Sequence, residues 1–253
     1  MKRFCLFLSI CLVFVPLAPC QDEEKIKALF QGAIQAMGGD AYLGVIDRVS
    51  SGQRFYFNNQ GDSSGIIKFS DYTRLPDKRR FEQGNKKNEL DITVFNLENN
   101  EGWLLEGQKG TREAKPEEMK EFKEAVKHNI NNIFRFRFKD PAIKLFYLGA
   151  GEGKDLTLEM VQLLDPDNDE VTVYFDRISK LPAKIEYYTI SNKGIRQHMV
   201  EEFSQWHEYQ GVNTPLRIDS FANGRRLFQH FIDKISYNNN LSNSLFSKPA
   251  QPK

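Results

Sequence analysis

The second half of the chain, from Leu156 to Phe246, constrains the fold more than any other stretch. LTLEMVQLLD (156–165), EVTVYFD (170–176), AKIEYYTI (183–190) and IRQHMVEEFSQW (195–206) alternate with period 2 and are rich in Val, Ile, Tyr, Phe and Thr. Pro, Asp, Asn, Ser and Gly punctuate the joins. TPLRIDSFA (214–222) and RRLFQHFIDKISY (225–237) then flank Asn223-Gly224, the strongest short hairpin signal. Alternation joined by tight turns predicts one long antiparallel meander.

The earlier strands follow the same rule. They are expected at 49–57, 65–72, 78–83, 88–97, 101–107, 111–114 and 143–149, with RFRFK (135–139) as a further short one. Roughly a dozen strands at this spacing predict a barrel or a sandwich. Two helices interrupt them. Asp22 to Met37 carries a stripe of Ile26, Leu29, Phe30, Ala33, Ile34 and Met37, with Asp22 as N-cap, and Gly38-Gly39 stops it. Pro116 to Phe134 places Met119, Phe122, Val126, Ile130 and Ile133 on one face, so it must cover something apolar.

At 253 residues and a net charge of +1, the chain lacks the global field that draws a protein to nucleic acid. Lys78-Arg79-Arg80, Lys86-Lys87 and RFRFK mix cations with aromatics, but read better as solvated strand faces. Twenty Phe and nine Tyr can fill a large core or line an apolar cavity. All three cysteines lie in the first twenty residues, where Lys2-Arg3, the apolar run Phe4 to Val15 and Ala18-Pro19-Cys20 form an export signal over 1–20. Leu17-Ala18-Pro19-Cys20 is similar to a lipobox, with Pro19 departing from it, so Cys20 is either a lipidation site or removed. No disulfide can staple the fold, so the core must carry it. Residues 21–246 are expected to form a single domain and 247–253 a disordered tail.

Several short motifs dissolve in context. Gly61-Asp62-Ser63-Ser64-Gly65 matches the G-x-S-x-G elbow of hydrolases, but a strand rather than a helix follows it, so a hairpin loop is the better reading. Gly149 to Lys154 lacks phosphate-loop spacing and reads as a turn. Asp165-Pro166-Asp167-Asn168-Asp169-Glu170 resembles the start of a calcium loop without its glycine and is expected as a solvated turn. His128, His198, His207 and His230 are scattered, with His128 on the polar side of its helix, so no metal site and no cofactor are expected.

The stretches LLDPDNDEVTVYFDRISKLPAKIEYY and EEFSQWHEYQGVNTPLRIDSF, the Asn-Gly hairpin and ISYNNNLSNSLFSKP are similar to bacterial outer-membrane lipoprotein-sorting proteins with a LolA/LolB-like fold. IQAMGGDAYLGV resembles their start, and Gly211, Val212 and Pro215 carry their Gly-Val-x-x-Pro pattern. The resemblance implies an α+β fold: an incomplete antiparallel barrel covered by an N-terminal helix and an amphipathic lid helix. Lipid or lipoprotein acyl chains would then occupy the cavity, with Met119, Phe122, Val126, Ile130 and Ile133 as the lid. Wall candidates are Phe55, Phe57, Phe69, Ile92, Val94, Trp103, Leu105, Leu158, Met160, Ile185, Tyr187 and Phe203; for any single one of them ordinary core is the favoured reading.

The expected function is a non-enzymatic periplasmic carrier or binding protein in cell-envelope lipoprotein sorting. It would be anchored to the periplasmic face of a membrane if Cys20 is lipidated, and other envelope membrane components are possible partners. A structural or assembly protein with a solid barrel is the rival. A lipid-ester hydrolase using Ser63 or a histidine is the weaker one.

Overall fold

A computed structural model describes residues 18–86, 89–151, 157–190 and 194–250, with side chains from residue 22 onward. The export signal and the glycine-rich segment Glu152–Lys154 fall almost wholly outside these residues. Cys20 lies in the first turn of a helix whose side chains there are not described.

Thirteen strands form one antiparallel sheet among the described residues: β1 (Asp47–Phe57), β2 (Ser63–Arg74), β3 (Lys78–Gln83), β4 (Asp91–Asn96), β5 (Glu101–Glu106), β6 (Thr111–Glu113), β7 (Lys144–Ala150), β8 (Leu158–Leu164), β9 (Glu170–Asp176), β10 (Pro182–Ile190), β11 (Arg196–Tyr209), β12 (Val212–Ala222) and β13 (Arg225–Tyr237). Their order is β6-β5-β4-β3-β2-β1-β13-β12-β11-β10-β9-β8-β7. The first strand pairs with the last, and β6 and β7 are left as free edges, so the sheet is an incomplete barrel rather than a closed one. Asn223 and Gly224 both have positive φ, as the tight hairpin between β12 and β13 requires.

The helices lie against the inner face. α1 (Ala18–Ala36) begins four residues ahead of Asp22, so Asp22 is inside the helix rather than its cap. Its stripe of Ile26, Phe30, Ala33 and Ile34 is buried, and Phe30 stacks on Phe138 with ring centres 4.6 Å apart while meeting Phe134 and Phe175 at 5.1 Å. α1 therefore packs into the β8–β10 end of the hollow, leaving a pocket between it and the start of β7. Its C-terminal end docks on the β11–β12 hairpin, where the Asn213 N–H donates to the Met37 carbonyl. A Cβ on Gly38 would stand 2.2 Å from the Gly211 carbonyl oxygen, so only glycine allows this approach. α2 is the single turn Asp40–Leu43. Among the described residues no helix is long and apolar enough to cross a membrane.

The predicted second helix is two: α3 (Pro116–His128) and α4 (Ile130–Arg135), broken at Asn129, whose side chain accepts from the Asn131 N–H and caps α4. RFRFK is not a strand. Arg135 ends α4 and Arg137–Lys139 is a 3-10 turn, because Phe134 and Phe138 turn inward to Phe30, an i, i+4 pairing that an extended backbone cannot make.

The chain end covers the outer face of β3–β6 as far as Pro249. Phe246 is buried, Lys248 lies over the Trp103 ring, and the Pro249 carbonyl accepts from Thr111 Oγ1 at 3.3 Å.

Candidate functional site

Along β1, β2 and β3 the inward positions are polar: Arg48, Ser50 and Arg54, then Asp71 and Thr73, then Arg79, with Phe69 and Phe81 among them. β13, β12 and β11 add Phe228, His230, Ile232, Ile218, Ser220, Phe203 and Glu201. α3 and α4 roof these strands with Phe122, Val126 and Ile130, enclosing about 240 Å³. The cavity thus has an apolar roof and a floor carrying charge.

The floor is organised by ion pairs. Asp71 is buried and receives Arg48 Nη2 at 3.0 Å and Arg79 Nε at 2.9 Å. Burial pushes its carboxyl up, but Arg79 and then Arg48 outweigh that and hold it at about 2. Arg54 lies between the rings of Phe81 and Phe228, at 4.6 and 4.7 Å from their centres. Its Nη1 donates to Tyr56 Oη at 3.1 Å and its Nε to His230 Nε2. Burial lowers His230 well below an ordinary imidazole, and Arg54 and Arg79 lower it further. Glu201 is raised by burial, although its Oε1 accepts from Tyr187 Oη at 3.3 Å.

The roof is fastened at both ends. Near the start of α3, the Arg112 guanidinium grips both Glu118 oxygens at 2.8 Å and also holds Glu106, tying helix to β5 and β6. A Cβ on Gly102 would meet Met119 Sδ at 2.6 Å and the Phe95 ring at 2.9 Å, so glycine lets α3 lie directly on β5. Phe122 stacks on Phe95 at 4.4 Å. At the other end His128 is buried rather than on a polar face. It lies 4.0 Å above the Tyr187 ring and reaches both Asp169 oxygens at 3.0 Å. The β8–β9 turn is accordingly not merely solvated: Asp165 is buried, pairs with Lys127 at 3.1 Å, and together with Asp169 faces Arg137.

Glu124, His128 and Asp169 bring potential ligand atoms within 4.8 Å of one another, a cluster made by helix and turn that spacing along the chain does not reveal. Arg137 faces the same Asp169 and Lys127 faces the neighbouring Asp165, which makes the cluster a clasp of ion pairs rather than a cation cage.

The seventeen predicted cavity and lid residues divide. Phe69, Phe122, Val126, Ile130 and Phe203 line the cavity. Ile133 and Ile185 belong to the packed core beneath α1 and α4, with Tyr187 against it, and Met119 is wedged on Gly102. The other eight are on the outer face. Ile92, Val94, Trp103 and Leu105 pack with Leu241, Leu245 and Phe246; Phe55 meets Phe231 and Phe57 meets Arg226; Leu158 and Met160 alternate with inward Val161. On β1 the apolar choice picks the outer side because the inner positions carry charge, whereas on β4 and β5 both faces hold apolar residues, Phe95 and Leu104 inward and Ile92, Val94, Trp103 and Leu105 outward. Polar residues at matching parity across β1, β2 and β3 were the available signal, and it marks Arg48, Arg54, Asp71 and Arg79.

At Gly61–Gly65 a turn enters β2, which contains Ser63; the helix that a nucleophile elbow needs is not there.

An open antiparallel sheet with helices roofing a cavity on its inner face defines a half-barrel fold. A DUF1329 family protein from Desulfovibrio piger has the same fold, with a TM-score of 0.61 at 11% identity over 88% of this chain and 97% of that one. A LolA superfamily protein from Nitrosomonas europaea gives 0.55 at 11% identity over 88% and 97%. A putative outer-membrane lipoprotein-sorting protein domain from Vibrio parahaemolyticus gives 0.53 at 12% identity over 89% and 96%. No protein-family profile matches the chain, and no curated protein matches it in sequence. The likeness is one of fold.

Proposed function

We propose that this protein is an exported carrier or binding protein that holds an acyl chain of a lipid or lipoprotein beneath α3. The observation that carries the reading is the roofed cavity of about 240 Å³, whose apolar lining comes from Phe69, Phe122, Val126, Ile130 and Phe203. That volume is just below the roughly 300–1,000 Å³ usual for ligand pockets, so part of a chain fits and a longer one requires the roof to lift. Each buried methylene contributes about 0.8 kcal/mol, enough to retain a lipid without a cofactor. The described fold is shared with a putative lipoprotein-sorting domain, which supports the same reading and a periplasmic setting.

Native mass spectrometry of the exported protein, followed by organic extraction, tests it. Co-purifying lipid or acylated peptide, lost in F122E and I130E, is the expected result. A clean apo mass together with indifference to fluorescent fatty-acid probes would overturn it in favour of a structural envelope protein. Labelling with a palmitate analogue, with and without Cys20→Ala, separates an anchored protein from a soluble one.

A further inference from the structure

We infer that the cavity takes an amphiphile with an anionic end, a carboxylate or phosphate held by Arg54, with its hydrocarbon chain running beneath α3. The inference rests on the carrier reading and narrows its cargo.

The first argument is charge. Arg48, Arg54, Lys78, Arg79 and Arg135 all reach the cavity wall, against the carboxyls of Asp71 and Glu201, and Lys78 pairs outside the wall with Glu98. Asp71 is already shared by Arg48 and Arg79. Arg135 donates through Nη1 and Nη2 to the carbonyls of Tyr42, Leu43 and Val45, at and just after the end of α2. Arg54 pairs with no carboxylate among the described residues.

The second argument is geometry. A guanidinium has five N–H donors. On Arg54, Nε and Nη1 each carry a bond, to His230 and Tyr56, and among the described residues no bond engages Nη2. The two flanking rings hold the plane of the fork fixed, which removes much of the side-chain entropy that an anion would otherwise have to overcome. Because His230 accepts from Arg54, its Nε2 bears no proton, and the neutral ring gives Arg54 no counter-charge.

The third argument is unmet hydrogen bonding. Arg48 Nε is a buried donor without a partner among the described residues, and Arg48 belongs to the cavity wall. Buried polar atoms are almost always satisfied. A purely apolar cargo would leave this donor unmet.

Calorimetry on the whole exported protein tests this with decanoate, methyl decanoate, decyl phosphate and inorganic phosphate. The two anionic amphiphiles should bind more tightly than the ester by roughly tenfold or more, the range of one charge-assisted contact. Arg54→Gln should bring the acid-to-ester ratio close to one, and Arg54→Lys should retain part of it. Equal binding of acid and ester by the native protein overturns the anionic end and leaves the carrier standing. Failure of all three amphiphiles removes both readings. Inorganic phosphate binding as tightly as decyl phosphate would replace the amphiphile with a small free anion. The native comparison needs no variant, so a poorly folded Arg54→Gln does not blunt it.

Discussion

Arg54 donates through Nε to the Nε2 of His230, a bond that only a neutral imidazole can accept. A proton on that nitrogen would expel the guanidinium and add a cation beside Arg54 and Arg79. The folded protein therefore binds this proton less readily than the unfolded chain, whose imidazole titrates near 6.5. Stability contributed here is complete above that value and is lost as pH falls below it towards the depressed folded value. A pH titration of the His230 ring by NMR should show it neutral at pH 5.5, and urea midpoints should fall between pH 7 and 5 by less in His230→Gln. A ring that titrates normally near 6.5 would contradict the pairing.

Asp71 holds two arginines at once, and its removal is expected to be costly. Asp71→Asn leaves Arg48 and Arg79 without their shared carboxylate inside the hollow, and loss of one partner of a buried pair costs about 3–5 kcal/mol. Urea unfolding at neutral pH measures the loss. In the native protein this contribution is present above 3.8 and disappears as pH falls towards about 2, because the folded carboxyl is the depressed one. An Asp71→Asn protein as stable as the native one would mean that the two guanidiniums find other acceptors.

Gly102 allows α3 to rest on the sheet. In Gly102→Ala the new methyl meets Met119 Sδ and the Phe95 ring well inside contact distance. Overpacking of this kind costs about 1–3 kcal/mol. Since the roof can move more cheaply than β5, amide exchange should quicken along 116–128 while β4 and β5 stay protected. Uniform loss of protection would show instead that the helix and sheet open together.

Asp169 fastens the far end of the roof through His128, with Arg137 beside it. A hydrogen bond to a charged group contributes about 1.5–3 kcal/mol. Asp169→Asn should therefore speed release of a bound fluorescent fatty acid by roughly tenfold, with a smaller change in association. Unchanged release would place the gate elsewhere than at this clasp.

How far the sequence reaches is clearest in particular residues. The Asn223-Gly224 hairpin and the strands at 78–83, 170–176 and 225–237 match their expected bounds, because turn chemistry and period-2 alternation are local properties. RFRFK misled for the same reason. Its alternation is real, but Phe134 and Phe138 both turn to Phe30, a partner about a hundred residues away. His128 misled too: at helical spacing it falls beside Glu121 and Glu124, and only the β8–β9 turn gives it an interior.

Alternation says that two faces differ, and not which face is the inner one. On β1 the pair Arg54 and Phe55 reads most simply with phenylalanine inside, yet Phe55 meets Phe231 outside and Arg54 enters the hollow. The sequence by itself determined the strands, their hairpin order and the existence of an amphipathic cover, since each rests on neighbours in the chain. Tertiary structure decided the side on which charge is buried. The Arg54 guanidinium can sit inside only where His230 and Phe228 of β13 and Phe81 of β3 converge on it, and that compensation does not exist until the strands have paired.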